Sequence, residues 1–469
     1  MFSLKHVLSL ACMICIASCT ANSNPSQDGL DNGRHAPPLH IEQLIKQSAK
    51  DAKVPGVAVA YIQNNKLQWV ATYGKANEQK PVTNGSLFNV ASLTKPVFAM
   101  LTLKLVQVGK LSLDESLSNY WIDPDVKDDS RHNQLTARLA LSHQTGFTNW
   151  RGDKPLSFMF EPGSRHEYSG EGFEYLRRAI ESKTEQTMPQ LMQSYITNSL
   201  DMNNTYFGWE VDKDAHIASR YDESAKEIEH KGFYQDGFSA ACCTLTSIED
   251  YARFMEWVAS GAGLSQSLID ELKTSQAQHV NPIEHFGLGW RLITLPDSTY
   301  LMHDGREPGV RTFATVSPDT GEGVVIFTNS SNGELLYRAI VKATLTDQQQ
   351  YLAQTDRDTW LYLSSVPKEV QPRMIQFIAQ SPSFTSKALY AANQAVFERN
   401  ANNKEVNIDA LKENSEKHIQ AYVLKMQQDK TDGQAFIEIM GKLLSPETSD
   451  ASTIAIKEWL SLLKAASNR

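Results

Sequence analysis

The 469-residue chain is expected to fold as an α+β protein: an antiparallel sheet flanked by helices, a helical insertion, and an all-helical C-terminal region. Three observations predict this. β-rich runs lie at both ends of the first 330 residues, "VPGVAVAYIQNNKLQWVATYG" early and "FGLGWRLI", "STYLMHDG", "VRTFATVSP" and "EGVVIFTN" late, so one sheet is assembled from both ends. Between them, roughly 115 to 280, lies a helical and loop-rich insertion with Gly and Pro at its turns. Beyond Ala343 only two of the 25 glycines remain, Gly433 and Gly441, and windows such as "SKALYAANQAVFERN" have amphipathic helical spacing.

Element by element, "MFSLKHVLSLACMICIASC" places Lys5 and His6 before an apolar run that is too short to span a bilayer, the pattern of an export signal. Residues 20–38, rich in Asn, Ser, Asp, Gly and Pro, read as a flexible tether. Leu39 to Lys53 carries apolar positions at helical spacing, and the doublet Asn64-Asn65 marks a hairpin turn. Ser92 to Val108 reads as a largely buried helix. Turn residues 318–321, Pro-Asp-Thr-Gly, separate the last two strands. The resulting division is a signal peptide at 1–19, the tether at 20–38, a folded domain at 39–343 and a helical C-terminal domain at 344–469, with no fixed repeat period in the last.

Composition narrows the function. At 41% hydrophobic and 21% charged residues the chain has ample core material. A formal net charge of −9 with scattered Lys and Arg excludes nucleic acid as a partner. Cys242 and Cys243 form no disulfide framework and no metal spacing; two buried small residues are expected there, the rarer alternative in an oxidising compartment being a ring between the adjacent cysteines. Asp123 to Asp129 reads as an exposed acidic loop.

The chemistry centres on "FNVASLTKPVFAML", where Ser92 stands three residues before Lys95 at a helix start, so the amine can lie beside the hydroxyl. A neutral lysine could take the serine proton, provided burial lowers its pKa; alternatively Ser92 only caps the helix. The tetrapeptide alone is weak, since Ser365 and Lys368 repeat it in what reads as a capped helix start. Two further segments strengthen it. "FEPGSRHEYSGEGFEYL" holds Tyr168 in a loop before a helix, as phenolate or proton relay, and "YLMHDGREPGVRTF" puts His303-Asp304-Gly305 at a strand end, where Gly305 would let a substrate approach the backbone.

In this order the three segments resemble the serine hydrolases of the β-lactamase and penicillin-binding protein family, in the branch of class C β-lactamases, D-aminopeptidases and esterases. "LTARLALSHQTGF" and "TLTSIEDYARFMEWV" extend the similarity, which covers about residues 40 to 335. The resemblance implies a β-lactamase/transpeptidase-like fold, Ser92 acylated, Lys95 assisting its deprotonation, Tyr168 as main acid/base partner and His303 beside the site. It implies an oxyanion hole from the backbone amides of Ser92 and Arg306, and no metal or organic cofactor. His143 would be structural, and Arg311 either meets a substrate carboxylate or is a solvated strand residue. Gly170 stands where the family usually has an asparagine that helps hold a substrate amide.

The expected function is an exported serine hydrolase acting on an amide or ester: a D-amino-acid peptide, a cell-wall fragment or a β-lactam-like compound. The alternatives are a carboxylesterase with little peptidase activity, or a non-catalytic envelope protein that binds wall fragments. "IASC" resembles a bacterial lipobox, with Cys19 as the lipidated residue. The expected partners are a small-molecule or peptide substrate, a membrane reached only through that anchor, and a protein partner for the helical C-terminal region, which could instead close over the site or pack on the main domain. The expected location is the bacterial cell envelope, facing the periplasm, at the outer membrane in a Gram-negative cell.

Overall fold

A computed structural model describes residues 36–208, 217–222, 224–229, 237–277, 285–352 and 354–355. Cys19, the second Ser-Lys pair at Ser365 and the bulk of the expected C-terminal helical domain lie outside the described residues.

Helix α1 (Leu39–Asp51) leads into β1 (Gly56–Gln63) and β2 (Lys66–Gly74). The two strands meet at Asn64 and Asn65, both with positive φ, the two-residue turn whose twist suits a hairpin. A short β3 (Phe88–Asn89), a 3-10 turn (Ala91–Leu93) and α2 (Thr94–Gln107) follow. The insertion carries α3 (Ala137–Leu141), α4 (Gly170–Thr184), α5 (Met188–Met192), the short strands β4 (Thr205–Phe207), β5 (Arg220–Tyr221), β6 (Glu227–Ile228) and β7 (Thr244–Thr246), then α6 (Ile248–Ala259) and α7 (Gln266–Lys273). The chain returns through β8 (Arg291–Thr294), β9 (Thr299–Glu307), β10 (Val310–Ser317) and β11 (Glu322–Thr328) to α8 (Tyr337–Thr344).

The six long strands form one antiparallel sheet in the order β2-β1-β11-β10-β9-β8. The early and late strands of the chain meet in the middle of the sheet, where β1 pairs with β11, Val59 opposite Ile326. β1 is buried on both faces and its residues alternate between two cores. Ala58, Ala60 and Ile62 face the cluster containing α2 and α6, whereas Val57, Val59 and Tyr61 face the cluster containing α1 and α8. Each fully buried large aliphatic or aromatic side chain contributes about 1.5–3 kcal/mol relative to exposure, so α2, with eleven buried residues, is an interior element that cannot shift independently of the sheet.

Three expectations change. Packing does not stop at 343: Tyr351 and Leu352 join the α1/α8 cluster, and the Tyr351 hydroxyl lies 3.1 Å from Thr315 Oγ1. Asp123 is buried rather than exposed, because Arg151 and Arg178 reach it at 2.8 and 3.4 Å. Cys242 and Cys243 are joined in a disulfide, the adjacent-cysteine ring rather than the two free small residues expected.

Candidate active site

Ser92 lies inside the 3-10 turn that precedes α2, and the helix N-cap position is Leu93, which makes no side-chain cap. The capping alternative is therefore removed. The turn is pinned from several directions. Asn89 Oδ1 accepts the Ala91 amide at 2.7 Å, Thr312 donates to the Val90 carbonyl at 2.9 Å, and Thr94 donates to the Ala91 carbonyl at 2.8 Å. Tyr251 donates to the Leu93 carbonyl at 3.0 Å. Ala91 is held at φ +48°, a left-handed conformation that costs free energy in a residue with a Cβ and persists only where its surroundings enforce it.

Lys95, on the first turn of α2, is 1% exposed. Its amine lies 3.3 Å from Ser92 Oγ and donates to the Ala241 carbonyl at 2.7 Å. It also sits 4.7 Å from the centre of the Tyr168 ring. Burial lowers its pKa to about 7, against the opposing pull of Glu174, Glu307 and Asp304. An amine that would otherwise be a spectator cation is thus brought into the range where it loses its proton near neutral pH.

Tyr168 arrives on the extended segment before α4. Burial pushes its hydroxyl well above the usual tyrosine range, and a hydrogen bond with Ser92 partly opposes this. The phenol is protonated at neutral pH, which selects the relay over the phenolate. His143 packs against it with ring centres 4.2 Å apart and accepts the Ser169 amide on Nδ1 at 3.0 Å. Its imidazole is held neutral by burial first, then by His166, and its one lone pair is already taken by the Ser169 amide, which makes it a structural support.

His303 is 4% exposed, its ring 6.2 Å from that of Tyr168. Nδ1 lies 2.7 Å from the Asp304 carbonyl, which assigns the proton to Nδ1 and leaves a lone pair on Nε2. Burial lowers its pKa to about 4, so it is neutral at pH 7. The fold therefore brings Ser92, Lys95, Tyr168 and His303 into one cluster.

Gly305 has a different reason from the one expected. A Cβ there would meet the Val90 carbonyl oxygen at 2.2 Å, Thr312 Oγ1 at 2.3 Å and the Ala91 Cβ at 3.2 Å. The space belongs to the turn that carries Ser92, not to a substrate. The consequence is close contact between β9 and that turn, with Arg306 and Ser92 each the next residue along, which suits a paired-amide oxyanion site. The Arg306 side chain turns away to Asp304, 2.6 Å, and Glu334, 3.4 Å. Arg311 is neither solvated nor aimed at a substrate: it is mostly buried, donating to the Glu307 and Val310 carbonyls at 2.7 Å.

Several contributors have no motif in the sequence. Glu174 on α4 accepts from the Ser239 hydroxyl at 2.6 Å and the Ala240 amide at 2.9 Å. It thereby fixes the loop whose Ala241 carbonyl holds Lys95. Glu307, buried beside Arg220 at 3.1 Å, has its carboxyl pushed up by burial. Cys242, Cys243 and Glu307 bring three donor atoms within 4.8 Å, but the sulfurs are bonded to each other and offer no thiolate to a metal. The sequence around Glu174 carries no signal for this support: its helical neighbours three and four residues on are Arg177 and Arg178, so along the chain it is one more charged position on the polar side of α4.

The family model for beta-lactamase matches residues 41–345. Protein flp of Staphylococcus aureus (strain MW2) is 22% identical over 315 residues, 62% of this chain and 62% of its own length, so the chain spans less than two thirds of that relative. A beta-lactamase of Pseudomonas fluorescens is 23% identical over 278 residues, 55% of this chain and 74% of the relative. Among solved structures, the octameric penicillin-binding protein homologue from Pyrococcus abyssi superposes with a TM-score of 0.56 at 20% identity, covering 67% of this chain and 81% of that one. The D-alanine carboxypeptidase AmpC from Burkholderia cenocepacia gives 0.54 at 18% identity, covering 64% and 97%. At these identities the structural likeness speaks to fold.

Proposed function

The chain belongs to the beta-lactamase family and has its β-lactamase/transpeptidase-like fold, and we propose that it is a serine hydrolase working through an acyl-enzyme on Ser92. The observation that carries this reading is the buried Lys95 amine, its pKa near 7, 3.3 Å from the Ser92 hydroxyl. Neutral Lys95 takes the Ser92 proton as Oγ attacks a carbonyl carbon. The amides of Ser92 and Arg306 receive the oxyanion, and as the bond breaks Tyr168 gives its proton to the leaving group and takes one from the Lys95 ammonium, so that both end the step as they began it. Water then attacks the acyl-enzyme by the same route in reverse, freeing the acid and restoring Ser92. Nothing in these steps calls for a metal or organic cofactor.

Two features favour a neutral ester over a D-amino-acid peptide or β-lactam. Gly170 supplies no carboxamide to a substrate amide, and the neutral His303 supplies no cation to a substrate carboxylate. Export as a lipoprotein through Cys19, and a protein partner for the C-terminal region, belong to the same proposal and rest on the sequence alone. Growth with labelled palmitate tests the anchor: label on the Cys19 peptide supports it, and an unlabelled mature chain contradicts it. For the hydrolase reading, a fluorophosphonate probe followed by peptide mass mapping is expected to modify Ser92. Adducts elsewhere, or labelling that persists in Ser92→Ala, would overturn it, and saturable binding of wall fragments without turnover would favour the non-catalytic alternative.

A further inference from the structure

The absence of a side chain at position 170 is not a backbone requirement, since Gly170 is not among the residues with positive φ. It is a matter of space: a Cβ there would lie 2.7 Å from both Cζ2 and Cη2 of Trp150. The indole fills the direction that a side chain at 170 would take. That direction is informative, because Ser169 is extended, φ −138° and ψ 115°, and successive side chains on an extended segment alternate. Position 170 therefore projects on the same side as Tyr168, towards the Ser92 cleft.

Trp150 is also held with unusual care for a residue that is 47% exposed. On one side, Asn149 caps α4: its Oδ1 and carbonyl oxygen accept the Gly170 amide at 2.9 and 3.0 Å, and the carbonyl also accepts the Glu171 amide at 3.1 Å. On the other side, Arg151 is clamped by Glu171, Asp123 and Asp125 at 2.9, 2.8 and 2.9 Å. A half-exposed indole whose two backbone neighbours are both locked is a preorganised surface, and ordering it costs little when a ligand arrives.

We propose that Trp150 is a specificity-determining residue, its indole forming the wall that receives a planar apolar substituent of the substrate next to the reacting carbonyl. This rests on the serine-hydrolase reading and gives it a substrate class: esters carrying an aromatic or similarly flat apolar group. With no side chain at 170, the indole presents an aromatic platform there, which attracts hydrocarbon and gives nothing to a carboxamide.

The test compares two ester pairs, p-nitrophenyl phenylacetate against p-nitrophenyl acetate and benzyl acetate against methyl acetate, with active sites counted by fluorophosphonate titration. In Trp150→Ala the aromatic-to-methyl ratio of kcat/KM is expected to fall about tenfold in at least one pair. Trp150→Phe, which keeps a ring and guards against a folding defect, is expected to retain most of the ratio. Gly170→Asn, which displaces the indole, is expected to lower it. Ratios that stay within about twofold of wild type in both Trp150→Ala and Gly170→Asn would overturn the proposal while leaving the hydrolase intact. Ester turnover that is absent in wild type, or unchanged in Ser92→Ala, would instead overturn the underlying hydrolase reading.

Discussion

The Lys95 amine sets a pH dependence that can be worked out from the structure. At its ordinary pKa a lysine is neutral in only about three molecules in ten thousand at pH 7. With burial lowering its pKa to about 7, Lys95 titrates within the neutral range, and its neutral fraction rises about tenfold from pH 6 to pH 8. On the proposed mechanism the neutral form is the base, so activity rises with pH, and kcat/KM for an activated ester is expected to climb about tenfold between pH 6 and 8. His303, at about 4, has finished titrating below this window, and Tyr168 stays protonated through it. The assay is initial-rate hydrolysis of p-nitrophenyl acetate at subsaturating concentration from pH 5 to 9.5. A profile that is flat over that range, or an acidic limb with its midpoint above about 9, would refute Lys95 as the base.

Four further outcomes follow from the same contacts. Glu174→Gln removes the largest charge effect opposing the lowered Lys95 pKa, so the midpoint of the acidic limb should move down by about half to one pH unit; an unmoved midpoint contradicts a positioning role. Tyr168→Phe keeps the ring but loses the relay hydroxyl, and should lower kcat/KM by roughly 10²- to 10⁴-fold with little change in urea midpoint. Gly305→Ala drives a Cβ into the Val90 carbonyl oxygen and should reduce unfolding free energy by roughly 3 kcal/mol, read from the urea transition, whereas near-neutral stability would deny the close contact of β9 with the turn. Cys242 and Cys243 should be alkylated only after a reductant is added; modification of the unreduced, unfolded chain would show that the ring does not form.

Much of the fold could be read along the chain because it is written in short-range patterns. The continuous β-rich apolar run of β1, the Asn64-Asn65 turn and the apolar run of α2 are local signals, and each maps onto one element. Ser92, Lys95, Tyr168 and His303 could be named in advance because the chemistry needs those side-chain types and the resemblance orders them. What stayed hidden depends on contacts between distant segments. Lys95 leans on a carbonyl at Ala241, 146 residues away, which is in turn fixed by Glu174. Gly305 looked like an opening for substrate and is instead a packing requirement, since only the folded molecule shows that Val90 passes over it. Likewise Gly170 read as a missing asparagine, and its meaning changed once Trp150 was seen to occupy the vacated direction.

The acyl-enzyme is tested most directly by rapid mixing of the chain with p-nitrophenyl acetate, reading the nitrophenolate burst and the intact mass of the acid-quenched protein. The expected result is a burst approaching one equivalent of titrated sites, with one acetyl group on the peptide that carries Ser92. A linear release with no trapped acyl group, or an acetyl group that forms equally fast in Ser92→Ala, would contradict it.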